Sequence, residues 1–456
     1  MLNLSKPIRI HIIGIGGAGM SAIAVVLNSM GHQVSGSDLK DSPAIDRLRS
    51  LGVEVFVGHN QNQIGNVDVV AISSAIPQDN VEILAARSKS IPILKRSEVL
   101  AAISASKNTI AVAGTHGKTT TSSMLSLILT YANLKPSFII GGETNEINSG
   151  AAWDEGEWLV IEADESDGTF LELKAKLSIV TNIEPDHLEF HGSFEALVKS
   201  FEKFMNLANT VVCFGDDPVI REIKSNSNLI TFGLSEEVDY KIVALERNRS
   251  SCKFELYFKQ NPLGQVTIPI PGLHNVLNAT AALVMSLQLG IDFSTAAKAL
   301  SRFTGVARRF ELRGQRNGIV FIDDYGHLPG EIKATLSAVS DGQWERVVAV
   351  FQPHRYSRTA SLWKEFGTCF DQADLIVITD IYSSGEPPRP GVSGKLIAQA
   401  VIDHSKHSSR QVSYVPTRPE LLSYLRASLS PGDVCITLGA GDITSLADEL
   451  LADPTW

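Results

Sequence analysis

The heptapeptide Gly114-Thr115-His116-Gly117-Lys118-Thr119-Thr120 carries the clearest chemistry in the chain. It joins an apolar run, Thr109–Ala113, to a helical stretch, Thr119–Tyr131. Glycines at such a turn let backbone N–H groups wrap phosphate oxygens. Lys118 adds a point charge and the Thr119 hydroxyl is a hard oxygen for Mg²⁺. The full P-loop pattern is not met, because Val112 stands where its first glycine belongs. The parts still predict a cradle for the phosphates of ATP.

A second glycine turn, Gly14-Ile15-Gly16-Gly17-Ala18-Gly19, follows the apolar run Ile8–Ile13 and precedes the helical stretch Met20–Met30. Asp38 falls where a dinucleotide-binding unit places its ribose acid. Alone, this loop reads as an NAD site. Two phosphate loops on two separate units instead point to two phosphorylated ligands, and to phosphoryl chemistry more than hydride transfer.

Acids close two further apolar strands. Glu162-Ala163-Asp164-Glu165-Ser166-Asp167 follows Trp158–Ile161, and Asn182-Ile183-Glu184-Pro185-Asp186-His187 closes the strand Ser178–Asn182. The carboxyl ends of parallel strands face the crevice where ligands bind, and hard acids suit Mg²⁺. Glu162 is therefore a candidate metal ligand and His187 a second, against the blander alternative of solvated acidic loops. Asp323-Asp324-Tyr325-Gly326-His327 and Gln352-Pro353-His354-Arg355-Tyr356-Ser357-Arg358 close strands later in the chain. The forked guanidinium groups of Arg355 and Arg358 suit a carboxylate or phosphate, or else sit exposed at a helix start. Arg308-Arg309-Phe310 precedes them. The asparagines of His274-Asn275-Val276-Leu277-Asn278 either cap a helix or read a base.

These residues need a scaffold that alternates strand, turn and helix. Gln33–Ser37, Val67–Ser73, Ile91–Leu94, Thr210–Phe214, Ile319–Ile322, Arg346–Phe351, Leu375–Thr379 and Val434–Leu438 read as buried strands, with helical stretches such as Val81–Ser88 between them. That rhythm predicts α/β architecture with parallel, doubly wound sheets. Alternation at Cys252–Phe258 interrupts it with a hairpin wet on one face. The expected domains are 1–106, 107–313 and 314–456.

Composition bounds the alternatives. The 456 residues are 44% apolar and 20% charged, which excludes a disordered chain. Forty Lys and Arg against 50 Asp and Glu give a net charge of −10, a poor match for nucleic acid. An anionic ligand must meet positive charge locally. The four cysteines, Cys213, Cys252, Cys369 and Cys435, form no CxxC pair and predict buried thiols in a reducing compartment. Neither a signal peptide nor a membrane span is expected, so the reading is a cytoplasmic protein.

The strings GIGGAGM, SGSD, SSAI, GTHGKTT, EADESD, NIEPDH, GLHNVLN, RRFE, DDYGH and FQPHRYSRT, in this order from Gly14 to Thr359, resemble the ATP-dependent Mur ligases of bacterial peptidoglycan synthesis. GIGGAGM with FQPHRYSRT resembles their alanine-adding members. The resemblance implies a Rossmann-like UDP-sugar domain, a central P-loop-like ATPase domain and a C-terminal Rossmann-like domain. It implies joining of L-alanine to the lactyl carboxylate of UDP-N-acetylmuramate through an acyl phosphate, by a monomer or homodimer. Gly14, Gly16, Gly17, Gly19, Ser37, Asp38, Ser73 and Ser74 then fall to the UDP-sugar. Gly114 to Thr120 fall to ATP, with Asn278, Arg309 and Asp324. Thr119, Glu162 and His187 fall to Mg²⁺. Tyr325, His354, Arg355 and Arg358 fall to the muramoyl substrate. Lys118, Glu162, His187, His327 and Arg355 form the catalytic set. The family usually reads DDYGHHPTE; here Leu328 replaces the second histidine and Gly330 the threonine.

Overall fold

The structure is a computed structural model that describes residues 2–73, 75–144, 149–405, 410–453 and 456. Two compact units emerge. One comprises Met1–Ala244, Phe254–Val266 and Leu277–Phe303; the other comprises Leu245–Lys253, Thr267–Val276 and Thr304–Trp456. The first unit takes in the first expected domain and most of the second, whose segments 245–253, 267–276 and 304–313 fall to the other unit.

Three sheets carry the fold. The first has the order Glu54–Val57, Gln33–Asp38, Arg9–Ile13, Val69–Ile72, Ile93–Lys95 and is wholly parallel. Its strand order reverses beside Arg9–Ile13, so the first glycine loop opens at the switch point where such sheets bind ligands. In the second sheet, the neighbours of Asn108–Ala113 are Ala175–Val180 and Trp158–Glu162, both parallel to it. The second glycine loop and the acidic motif therefore leave adjacent strands at the same end. The third sheet has the order Glu311–Arg316, Ile319–Asp324, Asp433–Leu438, Arg346–Phe351, Leu375–Ile378, Gln411–Tyr414.

The parallel expectation fails at two edges. Ser137–Thr144 pairs antiparallel with Ser149–Ala152, and Glu311–Arg316 antiparallel with Ile319–Asp324. In each pair no more than four residues separate the two strands, too few for the crossover that parallel pairing needs. The predicted one-sided hairpin is present: Cys252, Phe254 and Leu256 are buried while Lys253, Glu255 and Tyr257 are half-buried.

Burial on both faces explains the unbroken apolar strands. Along Arg346–Phe351, Val347, Ala349 and Phe351 enter one core cluster while Val348 and Val350 enter another. In the first unit one cluster joins Ile10, Ile12 and Ile23 to Ala111, Leu159 and Phe201. The two glycine loops of that unit thus rest on one continuous core. All four cysteines are free and buried.

Candidate active site

Gly114 has φ +136° and Gly117 φ +83°, backbone that side chains disfavour. Helix Lys118–Tyr131 starts directly after Gly117. Its Ser and Thr residues are all buried except the exposed Thr130, against their weak helix propensity; packing outweighs it. The Asn278 carboxamide lies where a Cβ on Gly117 would stand, so Asn278 is at the loop as expected.

Lys118 Nζ donates to the carbonyl oxygens of Gly114 (2.7 Å) and Thr115 (3.3 Å). It also donates to both carboxylate oxygens of Glu165, at 2.8 and 2.9 Å. Burial pulls the ammonium pKa down, but Glu165, Asp164 and Glu162 more than offset this and hold it above its ordinary value. Burial pushes Glu165 up against the pull of Lys118. A bidentate carboxylate therefore occupies the lysine that phosphate chemistry needs.

Thr119 Oγ1 donates to Glu162 Oε1 at 3.1 Å, and Gly141 N donates to Glu162 Oε2 at 2.7 Å. Two hard oxygens stand side by side at the helix start. His187, at φ +52°, lies with Nε2 3.1 Å from Asp186 Oδ2. Among the described residues no group of three His, Cys, Asp or Glu is arranged as a metal cluster. The structure thus joins Thr119 to Glu162 and gives His187 a carboxylate partner of its own. Thr115 and His116 tie the loop to the neighbouring strand end. Glu184 N donates to Thr115 Oγ1 at 2.8 Å, and His116 N donates to Asn182 Oδ1 at 2.9 Å. Thr120 is buried in the helix.

In the first glycine loop, Gly14 N and Ile15 N donate to the Ser37 carbonyl at 2.8 and 3.1 Å. Gly16 N donates to Asp38 Oδ2 at 2.9 Å, so one oxygen of the expected ribose acid serves the loop. Gly17 precedes helix Ala18–Ser29. Ser73 Cβ lies 3.0 Å from where a Cβ on Gly14 would be. Ser74 lies outside the described residues.

Arg96 escapes a reading of local motifs. A Cβ on Gly19 would stand 3.0 Å from its guanidinium, which pairs with Asp167 at 3.1 Å and Asp164 at 3.7 Å. It brings a guanidinium beside the first glycine loop. A cleft of about 190 Å³ separates helix Ala18–Ser29 from the glycine-rich strand holding Gly141 and Gly142. Arg47 crosses its wall to Ser149 Oγ at 2.8 Å.

In the other unit, Arg308 and Arg309 guanidinium carbons sit 4.9 and 4.8 Å from the Tyr325 ring centre. Asp324 accepts from Phe310 N and Gly326 N, each at 2.8 Å, and burial pushes its pKa up to about 6. Arg309 lies 3.7 Å from Glu331. Of the three single residues expected near ATP, Asn278 belongs to the first unit and Arg309 and Asp324 to the second.

His327 Nδ1 meets the Tyr325 carbonyl at 3.1 Å. A carbonyl only accepts, so Nδ1 carries the proton and the neutral ring keeps Nε2 as an acceptor. Burial lowers the His327 pKa to about 3 and the His354 pKa to about 4. Arg358 donates to His354 Nδ1 at 3.1 Å, so His354 Nε2 carries a proton. The two rings are 5.6 Å apart, one an acceptor and the other a donor. Leu328, at the departure from the family pattern, is 4% exposed. That position is filled by packing, leaving His327 as the histidine in the cluster.

Arg355 has φ +71° and donates its N–H to the Tyr382 carbonyl at 2.9 Å, while Tyr382 stacks on His354 at 5.8 Å and 11°. Glu386, from the proline-rich loop, accepts from Ser357 N at 2.8 Å. Neither Tyr382 nor Glu386 belongs to the strand-end motifs, and only the sheet brings them there.

These depressed pKa values predict acid sensitivity. The unfolded chain protonates both histidines near ~6.5, and the folded unit resists until pH falls to about 4 and about 3. Stability is present above ~6.5 and falls as pH drops, by up to ~1.4 kcal/mol per pH unit for each ring. Calorimetric or denaturant unfolding of His354→Gln between pH 6.5 and 4.5 should show a shallower pH slope by about one such increment. An unchanged slope would contradict the assignment.

Comparison with known proteins matches three stretches of the chain. Family profiles described as "Mur ligase family, catalytic domain", "Mur ligase middle domain" and "Mur ligase, glutamate ligase domain" match residues 9–108, 112–286 and 308–441. A UDP-N-acetylmuramate–L-alanine ligase of Desulforamulus reducens is 45% identical over 455 residues, 98% of each chain. One from Geobacter sulfurreducens is 43% identical, covering 97% of each. The crystal structure of the UDP-N-acetylmuramate–alanine ligase from Thermotoga maritima superposes with a TM-score of 0.83 at 31% identity, covering 97% of this chain and 98% of that one. Matched by these profiles, and by relatives 43% to 45% identical over nearly their whole length, the chain belongs to the Mur ligase family.

Proposed function

We propose that this protein uses ATP to join L-alanine to the lactyl carboxylate of UDP-N-acetylmuramate. The observation that carries the reading is Lys118, held between two loop carbonyls and a bidentate carboxylate at the start of a glycine-turn helix. The relatives named for this reaction match over nearly their full length. The regions 1–106, 107–313 and 314–456 serve as the sugar-nucleotide, ATP and C-terminal domains. No described helix is long and apolar enough to cross a membrane, which suits a cytoplasmic enzyme acting on a water-soluble nucleotide sugar.

A carboxylate is inert toward an amine at neutral pH. Its oxygen attacks the γ-phosphorus of ATP, the bond to ADP breaks, and an acyl phosphate forms. The neutral alanine amine then attacks the acyl carbon, phosphate leaves, and the nitrogen loses its proton to solvent. The protein's part is positioning and charge. The Gly114–Thr120 amides and Lys118 hold the phosphates and stabilise charge spreading over the transferred group. Arg355 and Arg358 orient a carboxylate. His327 accepts and His354 donates hydrogen bonds. With its pKa near 3, His327 is too weak a base to take the amine proton, so its role is orientation.

The paired oxygens of Thr119 and Glu162 fit Mg²⁺, and His187 completes the set suggested by the family motif. An ion held by these residues would supply neutralisation of phosphate charge. Arg96 is assigned to the diphosphate of the sugar nucleotide. Arg96→Ala should raise KM for UDP-N-acetylmuramate about tenfold, the loss of one charge-assisted contact, with little change in KM for ATP. An unaltered sugar-nucleotide KM would remove Arg96 from the site.

The functional test is ADP release with Mg-ATP, UDP-N-acetylmuramate and a panel of amino acids and peptides. Release that requires both the sugar nucleotide and L-alanine supports the reading. Release with a tripeptide but not with L-alanine would assign a peptide-recycling ligase instead.

A further inference from the structure

Glu82 is fully buried in the first unit, on helix Val81–Ser88, and no motif points to it. An isolated carboxylate there would be costly, yet its partners converge. Ser37 Oγ donates to Glu82 Oε2 at 2.6 Å, and Asn60 N donates to Oε1 at 3.1 Å. Two histidines approach Oε2 at 3.5 Å: His11 through Nε2 and His59 through Nδ1. Burial raises the Glu82 pKa, but the contacts with His11, Ser37 and Asn60 outweigh it and hold the group below its ordinary value. Glu82 is therefore ionised and only accepts.

The proton positions follow. Ser37 has one hydroxyl proton, and it goes to Glu82. Ser37 Oγ also meets His59 Nδ1 at 2.9 Å, so in that contact Ser37 must accept and His59 Nδ1 must donate. In the neutral tautomer that this contact selects, Nε2 is the hydrogen-bond acceptor. The His59 side chain is 10% exposed, at the end of strand Glu54–Val57, next to the strand that carries Ser37 and Asp38. The backbone of the same Ser37 accepts from Gly14 N and Ile15 N of the glycine loop. One buried carboxylate thus sits behind both the phosphate turn and the adjoining strand end. In sheets of this topology that edge receives the nucleoside.

We propose that Glu82 is a positioning residue for the nucleotide sugar: through Ser37 it fixes the proton on His59 Nδ1 and steadies the Gly14–Gly19 loop. This rests on the assignment of the first loop to a UDP-sugar. A purely structural acid would affect stability without selecting one substrate.

Glu82→Gln separates the two roles, because the amide keeps the shape and removes the charge. Calorimetric titration of the variant with UDP-N-acetylmuramate should show about tenfold weaker binding, the loss of one charge-assisted hydrogen bond. Affinity for Mg-ATP should stay within about twofold. Ser37→Ala, which cuts the same link from the other side, should repeat the selective loss. Nitrogen-15 spectra of the wild-type protein should report His59 protonated at Nδ1 and bare at Nε2, and Glu82→Gln should abolish that preference. Equal affinity for the nucleotide sugar in a folded Glu82→Gln, or equal losses for both nucleotides, would overturn the proposal. If both variants fail to fold, a wild-type His59 with a bare Nδ1 overturns it and a protonated Nδ1 supports it. Failure of the wild type to bind UDP-N-acetylmuramate would instead strike the assignment beneath it, while the His59 spectrum would still test the proton arrangement.

Discussion

Lys118→Ala should lower turnover at least ~10²-fold, about the effect of removing one strong donor from a developing oxyanion. The side chain is 13% exposed and ends among two carbonyls and a bidentate carboxylate. Its loss also leaves Glu165, 1% exposed, without its ammonium. The buried negative charge then faces the space meant for phosphate. Both effects act in one direction, so the loss should appear in steady-state turnover and in ATP affinity together. Double replacement of Lys118 and Glu165 should recover part of the affinity but not the turnover, because only the lysine stabilises the transferred group. Near-normal turnover in Lys118→Ala would remove the residue from the mechanism.

Gly114→Ala should reduce kcat/KM for ATP by about 10²-fold, through backbone geometry rather than charge. At φ +136° any side chain is strained. The added Cβ would collide with Thr181 Oγ1 and lie 3.0 and 3.1 Å from the backbone nitrogens of Thr181 and Asn182. Those nitrogens belong to the segment leaving the adjacent parallel strand, which cannot yield without moving the loop. A thermal melt should fall with activity, since cost and clash act on the folded state. Gly31→Ala makes a fitting control: its φ is +89°, but nothing lies within 4 Å of the new Cβ. It should lose some stability and keep ATP kinetics. Matching kinetic losses in both variants would show that general destabilisation, not loop geometry, sets the effect.

The sequence was legible where function is written in consecutive residues. Both glycine turns, the acids at Glu162, and the cluster Tyr325, His327, His354 and Arg358 are local strings at strand ends, and the sheets place them at strand ends. What escaped has no local pattern. Arg96 meets the first glycine loop and Asp167 from a separate helix, 71 residues from that acid. Glu82 reaches Ser37 across 45 residues. Some strands were also missed. Glu54–Val57 has no buried residue, so it offers no apolar run, and Ser137–Thr144 is broken by two glycines. Antiparallel edges follow from short turns between strands, which apolar periodicity does not report. The division between two units of the residues expected near ATP likewise depends on chain folding that no motif encodes.

The central claim is that the substrate carboxylate is phosphorylated before the amine attacks. UDP-N-acetylmuramate labelled with oxygen-18 in its lactyl carboxylate tests this most directly, with Mg-ATP, L-alanine and mass analysis of the released phosphate. Activation through an acyl phosphate predicts that each phosphate carries one oxygen from the carboxylate and the amide retains the other. Unlabelled phosphate accompanying amide formation would contradict the account.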